Sequence, residues 1–80
     1  MERLILSSAA LGRALRDARR EQGLTQVELA ERAGIAQPTI SNAERGAGIH
    51  LDTLFSMLAV LGLELLVRPR PEQLGTPWES

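Results

Sequence analysis

The chain has 80 residues, which is enough for one small domain near the lower limit for independent folding. It contains no cysteine, which excludes disulfides and thiolate metal sites and fits a reducing cytoplasm. The formal net charge of -1 argues mildly against a nucleic-acid binder, but all nine cationic residues are Arg and seven of them precede Gly46.

The composition also argues against a membrane protein and against an enzyme. The longest uncharged run, residues 53–63, is far shorter than the roughly 20 residues that a spanning helix needs. The chain has a single His, His50, which lies where a helix cap is expected and has no partners spaced for metal binding or catalysis. It has no Gly-rich phosphate loop either. We therefore expect no catalytic residue, no metal and no cofactor.

The first elements are an arm or short strand over residues 1–6 and a helix over residues 8–22. Ser7 is a plausible N-cap, and Gly23 ends the helix. Gly12 weakens the helix and indicates a close contact. Apolar residues recur at helical spacing and form one stripe, consisting of Leu11, Ala14, Leu15 and Ala18.

Two short helices are predicted next, at residues 25–33 and 37–45. Thr25 and Glu28 form a capping box at the start of the first, and Gly34 suits a left-handed residue just past its end. The second helix is polar around a single strong apolar residue, Ile40, so neighbouring helices must hold it in place. Two small helices joined by a tight turn, the second rich in hydrogen-bonding side chains, predict a helix-turn-helix that reads DNA.

A fourth helix is predicted at residues 51–61, with an apolar stripe of Leu51, Leu54, Phe55, Leu58 and Leu61. Residues 63–68 then alternate, which predicts a strand. This strand has no evident partner in a helical chain, so we expect it to pair with a second copy across a twofold axis; a hairpin with residues 3–6 is the alternative. Residues 69–80 read as a mobile tail, in which Trp78 is either a stray aromatic or an anchor for a protein partner.

The candidate DNA contacts lie on the two short helices. Gln26 can bond a phosphate, and the amide of Gln37 can pair with adenine in the major groove. Glu44 would repel phosphate if it faced DNA, so we expect it to turn inward and pair with Arg19. The remaining candidates for contact with DNA surround Gln37 along the second short helix: Ala36, Pro38, Thr39, Ser41, Asn42 and Arg45.

The spacing of these residues resembles the xenobiotic-response-element and phage Cro/repressor family of helix-turn-helix proteins. The matching residues span residues 25–46: Thr25, Gln26, Leu29, Ala30, Gly34, Ile40, Ser41, Glu44 and Gly46. The resemblance covers residues 7–63 and implies a lambda-repressor-like domain of four to five helices. It also implies a phosphate contact at Gln26 and a buried ion pair between Arg19 and Glu44. It places Gln37, Pro38, Ser41 and Asn42 at the major groove.

The C-terminal part is similar to a narrower group, the HipB-type antitoxins. The resemblance is carried by the stretch LGLELLVRP and by a polar tail that ends near a Trp. It implies an all-α domain that becomes a small α+β fold through its C-terminal strand. The strands of two copies then form an intersubunit sheet through Leu63, Leu65, Leu66 and Val67. It further implies a homodimer that binds operator DNA, holds a HipA-type serine/threonine kinase toxin and represses its own operon. The alternatives are a stand-alone or phage-type repressor and, in another class, a protein-interaction adaptor.

The predicted domain organisation follows from these elements. Residues 1–6 form the arm or short strand, residues 7–62 the DNA-binding domain, residues 63–68 the dimerisation strand and residues 69–80 the tail.

Overall fold

The computed structural model describes residues 2–71, and this part of the chain contains four helices. They are α1 (Ser8–Glu21), α2 (Gln26–Ala33), α3 (Gln37–Glu44) and α4 (Leu51–Leu61). The expectation of a four-helix domain is confirmed, and α1 and α3 each end one residue earlier than predicted. Among the described residues, no helix is long and apolar enough to cross a membrane.

Local capping explains where the helices begin and end. The Ser7 hydroxyl accepts a hydrogen bond from the amide of Ala10 at 3.0 Å and caps α1. At the start of α2, the Glu28 amide donates to the Thr25 hydroxyl at 3.0 Å, and the Thr25 amide donates to the Glu28 carboxylate at 2.9 Å. This reciprocal pair is the expected capping box. Gly34 ends α2 with φ +69°, a left-handed conformation that a side chain would strain.

The core lies where the four helices meet, because α1 and α2 both pack on α3 and α4. Each helix contributes one side chain that is essentially inaccessible to solvent: Leu15, Leu29, Ile40 and Met57. The single strong apolar residue of α3, Ile40, is thus part of the core cluster formed with its neighbours. This packing supplies the stability that a helix of eight residues cannot provide by itself.

The apolar stripe predicted for α4 was partly wrong. Leu51 and Phe55 are 66% and 51% exposed, while Met57 is fully buried. The buried residues are Leu54, Met57, Leu58 and Leu61, at helical spacing, and Phe55 lies about 100° around the helix from Leu54. A helix with apolar residues on more than one face does not reveal from its sequence which face turns inward.

Gly12 marks the close approach of α1 to α3. A Cβ atom at this position would lie 2.6 Å from the carbonyl oxygen of Glu44 and 2.7 Å from that of Ala43. Because both atoms belong to the backbone, no side-chain rotation could relieve the contact. Glycine at this position therefore allows the C-terminal end of α3 to lie directly against α1.

The segments before α1 and after α4 have no regular secondary structure in residues 2–71. Arg3 forms an ion pair with Asp17 at 3.0 Å, which fastens the N-terminal arm to α1. The intramolecular hairpin with residues 3–6 is not formed, because no strand is present in the described residues. Pairing of residues 63–68 with a second copy stays a prediction, and the greater part of the tail, with Trp78, lies outside the described residues.

Candidate nucleic-acid interface

The candidate interface is built around a buried ion pair between α1 and α3. The Arg19 Nε atom donates to Glu44 Oε2 at 2.6 Å, and Nη2 donates to Oε1 at 2.9 Å. The third nitrogen, Nη1, donates to the carbonyl oxygen of Leu24 at 2.8 Å, in the turn before α2. The side chains of Arg19 and Glu44 are 9% and 3% exposed. One guanidinium therefore joins α1, α3 and the start of α2.

The charge of Glu44 is maintained in spite of its burial. Burial raises the pKa of this carboxyl, but hydrogen bonds from Arg19 and Gln26 and the charges of Arg19 and Arg16 lower it by more. The net result is a pKa below its ordinary value. The pKa of Arg19 is raised, chiefly by its hydrogen bond to Glu44. Both groups are ionised at neutral pH, so the inward carboxylate is compensated and does not oppose a polyanion.

Hydrogen bonds extend this pair to the protein surface through two glutamines. Gln26 Nε2 donates to Glu44 Oε1 at 3.1 Å, and Gln37 Nε2 donates to Gln26 Oε1 at 2.7 Å. The first residues of α2 and α3 are thereby fixed relative to each other and to the core. Both amides are half-buried, so each retains a side that solvent or a ligand can reach.

Each glutamine retains hydrogen-bonding capacity for the role expected of it. Gln37 Nε2 carries a second hydrogen, and the carbonyl oxygen of the same amide makes no hydrogen bond among the described residues. One acceptor and one donor are what a carboxamide needs to bind adenine in the major groove. Gln26 Nε2 likewise has a second hydrogen, which suits a phosphate oxygen. These contacts remain predictions, but the amides are oriented before any ligand arrives.

The outer face of α3 carries further candidate contacts. Pro38, Asn42 and Arg45 are exposed and recur at helical spacing, so they line one stripe. The guanidinium of Arg45 donates to the side-chain oxygen of Asn42, and this hydrogen bond holds the two side chains together. The flanks of the stripe are half-buried, with Ser41 on the side of Gln37 and Thr39 on the opposite side.

Ala36 precedes α3 as its N-cap residue and makes no side-chain capping bond. The exposed methyl group of Ala36 therefore lies beside the start of the helix without a role in its stability. Pro38 lies in the first turn of α3, where its missing amide hydrogen is not needed. These two residues leave the entry to α3 apolar next to the polar Gln37.

The predicted dimerisation residues form a separate exposed group after α4. Leu63, Leu65, Leu66 and Val67 are 39%, 53%, 75% and 87% exposed. They lie along the segment that follows Gly62, away from the two glutamines in sequence. They line a cleft together with the N-terminal arm, α1 and α4, and no residue of α2 or α3 lines it.

Sequence reasoning did not find the links that join these residues. The contacts of Glu44 with Gln26 and of Gln26 with Gln37 join residues 18 and 11 positions apart. Gln22 was also missed: its Nε2 donates to the carbonyl oxygen of Leu61 at 2.6 Å and ties α1 to the end of α4. Glutamines beside helix ends are too common in sequences to signal such pairs.

Comparison with known protein families identifies this arrangement. A family model described as HTH_3, helix-turn-helix, matches residues 15–67. The chain belongs to this family. The family is of the xenobiotic-response-element type, and its members are typically non-enzymatic, DNA-binding transcription regulators. A comparison with curated protein sequences finds no match.

Several solved structures resemble the chain, over different lengths. A HipB–O4 20mer complex matches with 35% identity and a TM-score of 0.80, covering 88% of this chain and 100% of the other. A HipA–HipB–O2–O3 complex matches with the same four values. The biofilm master regulator SinR in complex with DNA matches with 32% identity and a TM-score of 0.63, covering 68% of this chain and 89% of its own. The lambda-repressor-like fold and the likeness to HipB are thus confirmed, and the chain is a helix-turn-helix DNA-binding regulator.

Proposed function

We propose that the chain is the antitoxin of a HipBA-like toxin–antitoxin operon. In this function a homodimer binds operator DNA, represses its own operon and neutralises a HipA-like serine/threonine kinase toxin. The operator is read by α3, with Gln37 directed at a base edge and Gln26 at the phosphate backbone. The twofold axis sets two reading helices one DNA turn apart, roughly 34 Å.

The length of the match to HipB is the observation that carries the proposal. The helices from α1 to α4 span residues 8–61, about two thirds of the chain. The HipB matches cover 88% of the chain, so they continue beyond the four helices, whereas the SinR match covers 68%. The shared part therefore includes sequence outside the DNA-binding helices, where a property specific to HipB would reside. One of the matched structures also contains HipA.

The apolar segment after α4 supports the homodimer. Leu65, Leu66 and Val67 are all more than half exposed, and no backbone hydrogen bond joins residues 64–71 to the rest of the described chain. Unpaired backbone groups beside exposed apolar side chains are an edge that another strand can complete. Antiparallel pairing with the same segment of a second copy would give the backbone groups hydrogen-bond partners and cover the apolar side chains. Closed twofold dimers are also the commonest oligomers.

The dimer is tested by a change in this segment. The double variant Leu65→Lys, Val67→Lys should be monomeric at micromolar concentration by light scattering, because two charges per chain would enter the proposed sheet. Glu64→Lys introduces a similar charge in the same segment and is the control, expected to remain dimeric. A wild-type chain that is monomeric at this concentration would contradict the dimer.

DNA reading is tested on two glutamines. Gln37→Ala should reduce the preference for the operator over mixed-sequence DNA, by about 1–3 kcal/mol at the contacted base pair. Gln26→Ala should weaken binding to both DNAs, because a phosphate contact carries no sequence information. Fluorescence anisotropy at fixed salt concentration measures both effects. If both variants bind operator like the wild type, α2 and α3 are not the reading elements.

The toxin is tested separately, by coexpression with the product of the adjacent gene. A stable complex with a kinase-like protein, together with loss of its kinase activity, would support the antitoxin function. The second candidate, a stand-alone repressor, is favoured by the likeness to SinR. Operator binding without any kinase partner would favour that candidate. Failure to bind DNA at any salt concentration, including low salt, would favour a protein-interaction adaptor.

A further inference from the structure

Three arginines of α1 are exposed: Arg13, Arg16 and Arg20. None of them makes an ion pair with a residue in the described part of the chain. They belong neither to the helix-turn-helix of α2 and α3 nor to the buried ion pair between Arg19 and Glu44, so no role has yet been assigned to them. Arg16 has the most defined position of the three, because residues on both sides of it along α1 contact Glu44.

The helical register places Arg16 next to the Glu44 carboxylate. Gly12 lies four residues earlier and packs against the backbone of Glu44, where a Cβ would be 2.6 Å from the carbonyl oxygen. Arg19 lies three residues later and binds the Glu44 side chain at 2.6 Å. Residues three and four apart share a helix face, so Arg16 lies between these two contacts on the same face.

Electrostatics agree with this placement. Burial raises the pKa of Glu44, and the hydrogen bonds from Arg19 and Gln26 oppose it, with smaller contributions from the charges of Arg19 and Arg16. Since the Arg19 and Glu44 charges already compensate each other, Arg16 adds a net positive charge at this place. The guanidinium is on an exposed residue, in contrast to that of Arg19, so it can reach a ligand in solvent.

Gln26 approaches the same carboxylate from α2. Its Nε2 atom donates to Glu44 Oε1 at 3.1 Å. Arg16 and Gln26 are therefore neighbours of one side chain, and both have donors left for an additional partner. A guanidinium beside a carboxamide, with the helix start of α2 adjacent, is suited to a phosphate oxygen.

We propose that Arg16 binds the DNA backbone together with Gln26 and extends the interface from the two short helices onto α1. The contact positions the protein on the duplex and carries no sequence information. The inference rests on the DNA binding described under Proposed function. It does not require the toxin or the identity of the operator.

The test measures the salt dependence of binding to a labelled 20-base-pair duplex of mixed sequence. Each phosphate neutralised contributes about 0.9 to the slope of log affinity against log salt concentration. Arg16→Gln should lower the slope by that amount, so between about 50 and 200 mM salt its affinity should fall about 3.5-fold less than that of the wild type. Arg16→Lys keeps the charge and should restore the slope.

Arg32→Gln is the matched control, because it removes the same charge from an exposed site in the last turn of α2. Its slope should equal that of the wild type. Thermal unfolding of all variants distinguishes phosphate binding from support of Glu44. A phosphate contact predicts a lower salt slope together with at most a small change in the midpoint from loss of the Arg16 charge beside Glu44, whereas a merely structural role predicts a lowered midpoint with the wild-type slope.

The outcomes separate this inference from the proposed function. If the wild type binds DNA and Arg16→Gln retains the wild-type slope, Arg16 does not contact the backbone. A slope that falls equally in Arg32→Gln would also overturn the inference. If the wild type itself fails to bind duplex DNA at low salt, the proposed function is wrong as well.

Discussion

Removal of the Glu44 carboxylate is the perturbation that most directly tests how the interface is held. In Glu44→Ala, Arg19 loses the acceptor of both Nε and Nη2 and retains only the Leu24 carbonyl oxygen. The guanidinium is left buried, with a side chain that is 9% exposed. The variant also removes the acceptor that holds Gln26.

The expected loss is large for a domain of this size. Removing one partner of a buried ion pair costs about 3–5 kcal/mol, because the other charge remains desolvated. A domain of 80 residues has a free energy of unfolding of roughly 4–12 kcal/mol. Glu44→Ala should therefore remove about a quarter of the stability if the domain is at the stable end of this range, and all of it if the domain is at the other end.

Urea unfolding followed by circular dichroism measures this loss at fixed protein concentration, since dimerisation would shift the midpoint. Glu31→Ala is the control, because Glu31 is exposed on α2 and makes no hydrogen bond to another described side chain. The control should change the free energy of unfolding by less than about 0.5 kcal/mol. Where Glu44→Ala is too unstable to measure, Glu44→Gln provides a milder change, because it retains an amide oxygen as an acceptor.

A double-mutant cycle decides whether the pair itself is responsible. The variant Arg19→Leu, Glu44→Leu removes both charges, and replacing both partners with apolar residues is often nearly neutral. We expect it to be more stable than either single Leu variant. If Glu44→Ala costs less than about 1 kcal/mol, or if the two Leu substitutions add, the ion pair does not hold α3 in place.

Three other predictions follow from contacts in the same domain. Gly12→Ala should destabilise by about 1–3 kcal/mol despite the gain in helix propensity, because its methyl group would overlap the α3 backbone; Gly48→Ala, in open space, should be neutral or slightly stabilising in the same urea titration. Thr25→Ala should cost about 1 kcal/mol by thermal unfolding, because the capping box with Glu28 is lost, and an unchanged midpoint would contradict that role. Since the pKa of Glu44 is lower in the folded than in the unfolded chain, its contribution is complete above the unfolded value of about 4.3 and disappears as the pH falls through the lower folded value. Acid titration of stability should therefore be shallower in Glu44→Gln than in wild type, and equal curves would refute the assignment.

The helices and their ends could be predicted because they depend on neighbouring residues. Thr25 and Glu28 form their capping box within one turn, and Gly34 takes its left-handed conformation at the helix end. Ser7 likewise caps α1 through the amide of Ala10. Such interactions join residues three or four positions apart, so the sequence contains all the information they need.

The apolar face of α4 could not be predicted in full, because its pattern allowed more than one answer. Phe55 and Leu51 fit a helical stripe but are exposed, and Met57 completes the core in their place. The choice depends on which side of α4 the other helices occupy. That information resides in the packing of α1 and α2 against α4 and not in α4 itself.

By itself, the sequence determined four helices, a tight turn at Gly34 and a polar helix that needs support, because hydrogen-bond caps and apolar periodicity act over a few residues. Only the tertiary structure decided that Arg19, Glu44, Gln26 and Gln37 form one chain of hydrogen bonds. Residues 19 and 44 are separated by 25 positions, and their contact exists only where α1 and α3 touch at Gly12. The orientation of the two glutamines is therefore a property of how the helices pack, since no local rule specifies which distant polar groups will meet.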